Sequence, residues 1–215
     1  MMYLSHARCR SCLLAEYTAG ESSDHFFVGD LDQPAAEAYF ARQQVRYPMA
    51  ERARIPVFST VYTAAGGRMT DLDLLTRQFA RAHIAAVEHS PSVIWETELL
   101  RRALYPAAFG GAHLGYRRTV LPEPPSWSPD CARALFARLA EDGIVPMADA
   151  LRLFGDDWKA LRSLLDYQLV LYRPSAAVSG DILWRDGKPL AGAAVVPRSP
   201  LSRFAMRTAL SRRRM

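Results

Sequence analysis

The stretch "DGIVPMADALRLFGDDWKALRSLLDYQLVLYR", residues 142 to 173, decides how the rest of the chain is read. Asp142-Gly143 closes a preceding helix, since glycine takes the left-handed position past a helix end without penalty. Ile144-Val145 is a short apolar connector. From about Pro146 to Phe154 the spacing predicts a helix with Ala150, Leu151 and Phe154 inward, and Gly155 breaks it. Asp156 is placed to cap a further helix, Asp157 to about Tyr167, whose inner face is Trp158, Leu161, Leu164 and Leu165. Two short helices joined by a few residues around a glycine make a helix-turn-helix.

The flanks extend this unit. Ser128-Pro129-Asp130 supplies an oxygen cap, a first-turn proline and an acid near the positive end of the helix dipole. Leu135, Phe136 and Leu139 follow at buried-face spacing. Downstream, "LVLYR" and "ILWRDG" are rich in β-branched and aromatic residues and enclose the turn-rich "PSAAVSGD", so the pair is expected to form a hairpin. Three helices and a two-stranded hairpin over residues 128–187 resemble the winged-helix (helix-turn-helix) superfamily in pattern and length. That resemblance implies a third helix lying in a DNA major groove with Lys159, Arg162 and Ser163 outward. Arg162 would then contact a guanine edge, and Arg152, Arg173 and Arg185 would meet phosphates. Against strong reading of DNA stand Asp156, Asp157 and Asp166 at the two ends of the helix, and a hairpin tip without a base. Winged helices also serve as protein-docking or purely structural units.

Ahead of this unit, "VLPEPPSWSP" (120–129) carries four prolines in ten residues and reads as an extended linker. It separates a mainly helical N-terminal domain, residues 1–119, from the C-terminal module. In that first domain "QPAAEAYFARQQVRYP" reads as a helix opened by Pro34. "MTDLDLLTRQFARAHIAAVEH" aligns Leu72, Leu75, Phe79, Ala82 and Ala86 behind a Thr70 cap. "SPSVIWETELLRRALYP" opens on Ser90 and Pro91 and aligns Val93, Trp95, Leu99, Leu100 and Leu104. "IPVFSTVYT" is the strand candidate, although a buried helical segment would look similar. The expected class is therefore mainly α with a small β-hairpin (α+β).

The net charge is +5, and Lys159 and Lys188 are the only lysines. Residues 188–215 read as an arginine-rich tail, with Arg198, Arg203, Arg207, Arg212, Arg213 and Arg214 and no acid beyond Arg198. Such a tail would attract any polyanion, or simply solubilise the chain. Half the residues are apolar, enough for a folded core, but the apolar runs are too short to cross a bilayer. The first residues lack the uninterrupted apolar run of a secretory signal. A cytoplasmic protein without a membrane partner is expected.

Three cysteines cannot build a disulfide framework. Cys9 and Cys12, with His6 before them and His25 twelve residues later, have the spacing of half a zinc finger, so zinc is the one cofactor to consider. No second CxxC or histidine pair follows. Asp181, Asp186 and Lys188 lack the acid partner a metal-dependent nuclease needs, and no nucleophile stands with a base. The expectation is a non-enzymatic DNA-binding protein, a transcriptional regulator or mobile-element accessory factor. It would contact double-stranded DNA through the C-terminal module, and a protein partner or second copy through the N-terminal domain. The alternative is a non-catalytic, nucleic-acid-binding subunit of a defence (CRISPR-type) or transposition complex that uses the winged helix to dock a protein.

Overall fold

The computed structural model describes residues 30–104, 125–174, 183–185, 188–190 and 192–211. These residues are mostly helical and carry a small three-stranded antiparallel sheet, an α+β arrangement.

Helix α1 (Gln33–Gln44) begins where Asp32 accepts a 2.9 Å hydrogen bond from the Ala35 amide, with Pro34 in its first turn. A four-residue helix, α2 (Met49–Arg52), follows. The expected strand around residues 55–63 is instead helix α3 (Phe58–Ala65). Its buried residues Val61, Ala64 and Ala65 are spaced i, i+3, i+4, so packing of one helical stripe outweighs the β preference of Val, Thr and Tyr. Helix α4 (Met69–Arg81) buries Leu72, Leu75 and Phe79, but its N-cap is Arg68 rather than Thr70, and Ala82 and Ala86 lie past its end. Helix α5 (Pro91–Ala103) opens on Ser90, whose Oγ accepts from the Val93 amide at 3.4 Å. Trp95 is not part of its inner stripe: two residues from Val93 puts it on the opposite side, 54% exposed.

The C-terminal unit starts with α6 (Pro129–Asp142), capped by Ser128 Oγ on the Cys131 amide at 3.2 Å. Gly143 ends it at φ 77°, donating to Leu139 O at 2.9 Å. Strand β1 (Val145–Pro146) leads into α7 (Met147–Leu153). The turn after α7 is closed by two reversed bonds, Gly155 N–H to Arg152 O (3.1 Å) and Asp156 N–H to Leu151 O (2.9 Å). Gly155 and Asp156 both have positive φ, which frees Asp157 to be the cap of α8 (Trp158–Asp166) in place of Asp156. The same closure recurs after α8, with Gln168 at φ 55° in the left-handed position. Leu161, Leu164 and Leu165 are fully buried as the spacing requires, whereas Trp158 turns outward.

The sheet departs from the expected hairpin. Among the described residues, strand β2 (Val170–Arg173) pairs elsewhere than with residues 183–185 of "ILWRDG". Instead β3 (Leu183–Arg185) and β4 (Lys188–Leu190) form a small hairpin of their own. The partner of β2 is β5 (Ala194–Pro197), which lies centrally in the order β1–β5–β2, with Val195 opposite both Val145 and Tyr172. "AAVVP" lacks the alternation of a half-exposed strand because both faces of the sheet are covered here: the successive Ala194 and Val195, which point to opposite faces, are both buried.

The expected tail is corrected as well. Residues 194–197 are that central strand, and Pro200–Ser211 form helix α9. Among the described residues the buried side chains form two clusters, one around Phe79, Leu72 and Val61, the other around Phe136, Leu161 and Leu165. Helices α5 and α9 belong to both: Val93 and Leu201 pack into the first, Leu100, Ala205 and Met206 into the second. The two halves thus share a seam made by α5 and α9.

Candidate nucleic-acid interface

The site is assembled from α7, the turn and α8. Burial of Leu161, Leu164 and Leu165 rotates Trp158, Lys159, Arg162 and Asp166 to the outside of α8. Arg162 lies 3.6 Å from Asp166 on its own helix, and Arg152 on α7 lies 3.1 Å from Asp149. Both arginines remain more than half exposed. Around them, Arg152, Lys159 and Arg162 face four acids, Asp149, Asp156, Asp157 and Asp166. These residues thus carry a small acidic excess rather than a basic one.

Ser163 is not an open contact residue. Its Oγ accepts from the Ser126 amide at 3.3 Å, and Ser126 Oγ donates to Lys159 O at 3.2 Å. The end of the proline-rich segment therefore runs along one flank of α8 as a strap. Its anchor is Trp127, which is buried, donates from Nε1 to Ala103 O at 2.8 Å and meets the Tyr167 ring edge-on at 5.1 Å. A tryptophan between two serines in a proline-rich run is the sequence signal for this anchor, and it reads as linker unless the aromatic is given weight.

Arg173 lies at the end of β2, half-buried. Arg185 lies on β3. The side chain of Arg185 and residues 212–214 lie outside the description, as do His6, Cys9, Cys12 and His25 of the zinc reading. Comparison with protein-family models, curated proteins and solved structures finds no match for this chain. No described helix is long and apolar enough to cross a membrane.

The described arginines from the expected tail have structural partners. Arg203 Nε and Arg207 Nε both donate to Ala140 O, at 3.1 and 2.9 Å, and Arg203 also reaches Glu141 O. They satisfy orphan carbonyls at the C-terminus of α6 and offset its negative dipole end. Arg198 forms an ion pair with the buried Glu96 of α5, and its own carbonyl accepts from Arg68 Nη1 at 2.8 Å. These arginines thus have partners at the seam, and Arg207 remains exposed beside them.

Asp71 completes that seam. Its carboxylate, on the first turn of α4, accepts from the Ser199 side chain and the Leu201 amide at the start of α9, while Oδ2 is without a partner. Burial raises its pKa above the ordinary 3.8, partly offset by nearby Arg68 and by the two hydrogen bonds. Above the unfolded value the native protein therefore holds this proton more tightly than the unfolded chain does. That contribution to stability is present at low pH and is lost as pH rises through the raised value. The expected result for Asp71→Asn is a stability relative to wild type that improves as pH rises from about 4 through the raised value and then levels off, in urea denaturation. A relative stability that worsens with pH would show that the ionised form is the favoured one.

Proposed function

We propose that residues 128–211 form a winged-helix-type unit whose α8 face holds a protein neighbour, making the chain a non-catalytic subunit of a nucleoprotein assembly. The elements that build the three-stranded sheet and its helices, α6–β1–α7–α8–β2–β5, and the sheet order β1–β5–β2 support the winged-helix reading, with the β3–β4 pair set between β2 and β5 and α9 following β5. The observation that carries the docking role is the α8 face itself. Its arginines are paired with acids of their own helices, and Trp158 stands 38% exposed among them. Contact with DNA draws most of its affinity from an unbalanced positive surface. Protein interfaces instead concentrate binding in tryptophan and arginine anchors with satisfied surroundings.

Direct contact with a duplex is the second reading, favoured by the exposure of Lys159 and Arg162 on the helix that follows the turn. Two measurements separate them. With docking, Trp158→Ala abolishes co-purification of the neighbour from the native host, and Arg162→Ala leaves the weak duplex binding without sequence preference, as in wild type. With DNA reading, the protein shifts one duplex selectively, and its affinity falls at least about tenfold between 50 and 200 mM salt. Arg162→Ala then relaxes the preference, and this result would replace the docking role.

A further inference from the structure

The corner made by the end of α1, α2 and the start of α3 has a composition found on no other described surface. Val45, Met49 and Val57 are 69%, 82% and 70% exposed, the three highest values among the described large apolar side chains. Interleaved with them are Arg42, Arg46, Arg52 and Arg54, all exposed, with Glu51 the one acid between residues 42 and 57. Hydrogen bonds at its base hold the corner in shape. Arg52 donates to Val45 O and Tyr47 O at 3.3 and 3.4 Å, and Arg54 donates to Ala80 O at the end of α4 at 3.4 Å. Three exposed aliphatic residues and four exposed arginines thus lie within residues 42–57 on backbone that these bonds tie together.

From this we infer that the corner is a peripheral docking surface for an anionic lipid bilayer. The charge selects the occupant. A second copy of the chain would bring four arginines against four, which opposes self-association through this face. Nucleic acid would engage the arginines but leave three aliphatic tips unburied, and the corner offers no exposed aromatic ring for bases to stack on. A bilayer with acidic headgroups satisfies both chemistries. The guanidinium groups stay at the phosphate level while Val45, Met49 and Val57 enter the acyl boundary, a contact that needs no membrane-crossing segment. The other exposed apolar pair, Ile94 and Trp95 on α5, lies where Glu88 and Glu98 offset Arg101 and Arg102, without the cationic excess of the corner, and so makes an internal control.

The test is co-sedimentation of the full chain with vesicles of phosphatidylcholine alone or mixed with phosphatidylglycerol, at low and high salt. Binding is expected to the mixed vesicles only and to weaken with salt. Arg46→Ala should lower the affinity about fivefold. The double variant Met49→Ser/Val57→Ser should lose binding at unchanged net charge, with circular dichroism confirming its fold, and Trp95→Ser should sediment like wild type. Absence of binding to both vesicle types would overturn the proposal. So would an unchanged affinity of the serine double variant, which would mark the corner as a polyanion site of the nucleic-acid kind, or an equal loss in Trp95→Ser.

Discussion

Gly67→Ala is expected to cost about 3 kcal/mol or more, a large part of the stability of a domain this size. A Cβ at this position would overlap the Leu31 carbonyl oxygen and stand 2.7 Å from the carbonyl carbon and 2.8 Å from the Leu31 amide nitrogen. All three atoms are backbone, so no side-chain rotation relieves the clash. The approach is close because Leu31 donates its amide to Gly67 O at 2.9 Å, tying the segment before α1 to the turn before α4. Gly155→Ala is the control. It has a left-handed φ of 61° but nothing within 4 Å of the added carbon. Its cost should be limited to the left-handed penalty of about 1–2 kcal/mol. Urea denaturation of both variants measures the difference, and equal midpoints would mean that the turn before α4 yields far more easily than its contacts indicate.

The second large effect is expected at Trp127→Ala, at about 3–5 kcal/mol. The indole is 3% exposed within the second core cluster, and its one polar atom is satisfied by Ala103 O at the end of α5. Truncation removes the ring between Tyr167 and the α5 terminus and frees the strap that holds Ser126 against α8. Trp127→Phe retains most of the apolar volume while leaving Ala103 O without this donor, so its cost should be nearer 1–3 kcal/mol. If alanine and phenylalanine variants unfold together with wild type, the proline-rich segment contributes no anchor to the fold.

Much of the helical framework was legible because its signals are local. Ser90 and Ser128 cap as serine before proline predicts, Gly143 takes the left-handed C-terminal position, and Leu161, Leu164 and Leu165 face inward. What escaped the sequence depends on partners far along the chain. A run such as "AAVVP" reveals its strand only once β1 and β2, which precede it by tens of residues, are seen on both of its edges. Likewise Arg203 and Arg207 look like a polyanion-binding tail until the α6 carbonyls more than 60 residues earlier are found to need donors. At the candidate site the exposure of Lys159 and Arg162 followed from periodicity. The occupation of Ser163 by Ser126 did not, because the strap crosses from outside the helix-turn-helix. Trp158 stands i, i+3, i+7 with Leu161 and Leu165 and so reads as inward, but as the first residue after the capping Asp157 it turns out with Arg162 and Asp166.

The place of β5 and α9 has a consequence for how the molecule is made. The strand in the middle of the sheet and the second of the two helices shared by both clusters are encoded by residues 194–211, after the described elements they complete. During synthesis, β1 and β2 wait for the strand that joins them, and both half-built interiors remain open until residue 211 has left the ribosome. Non-local closure of this kind slows folding and leaves apolar surface uncovered in the meantime. A nascent chain arrested before residue 194 would be a sticky intermediate rather than a smaller working protein.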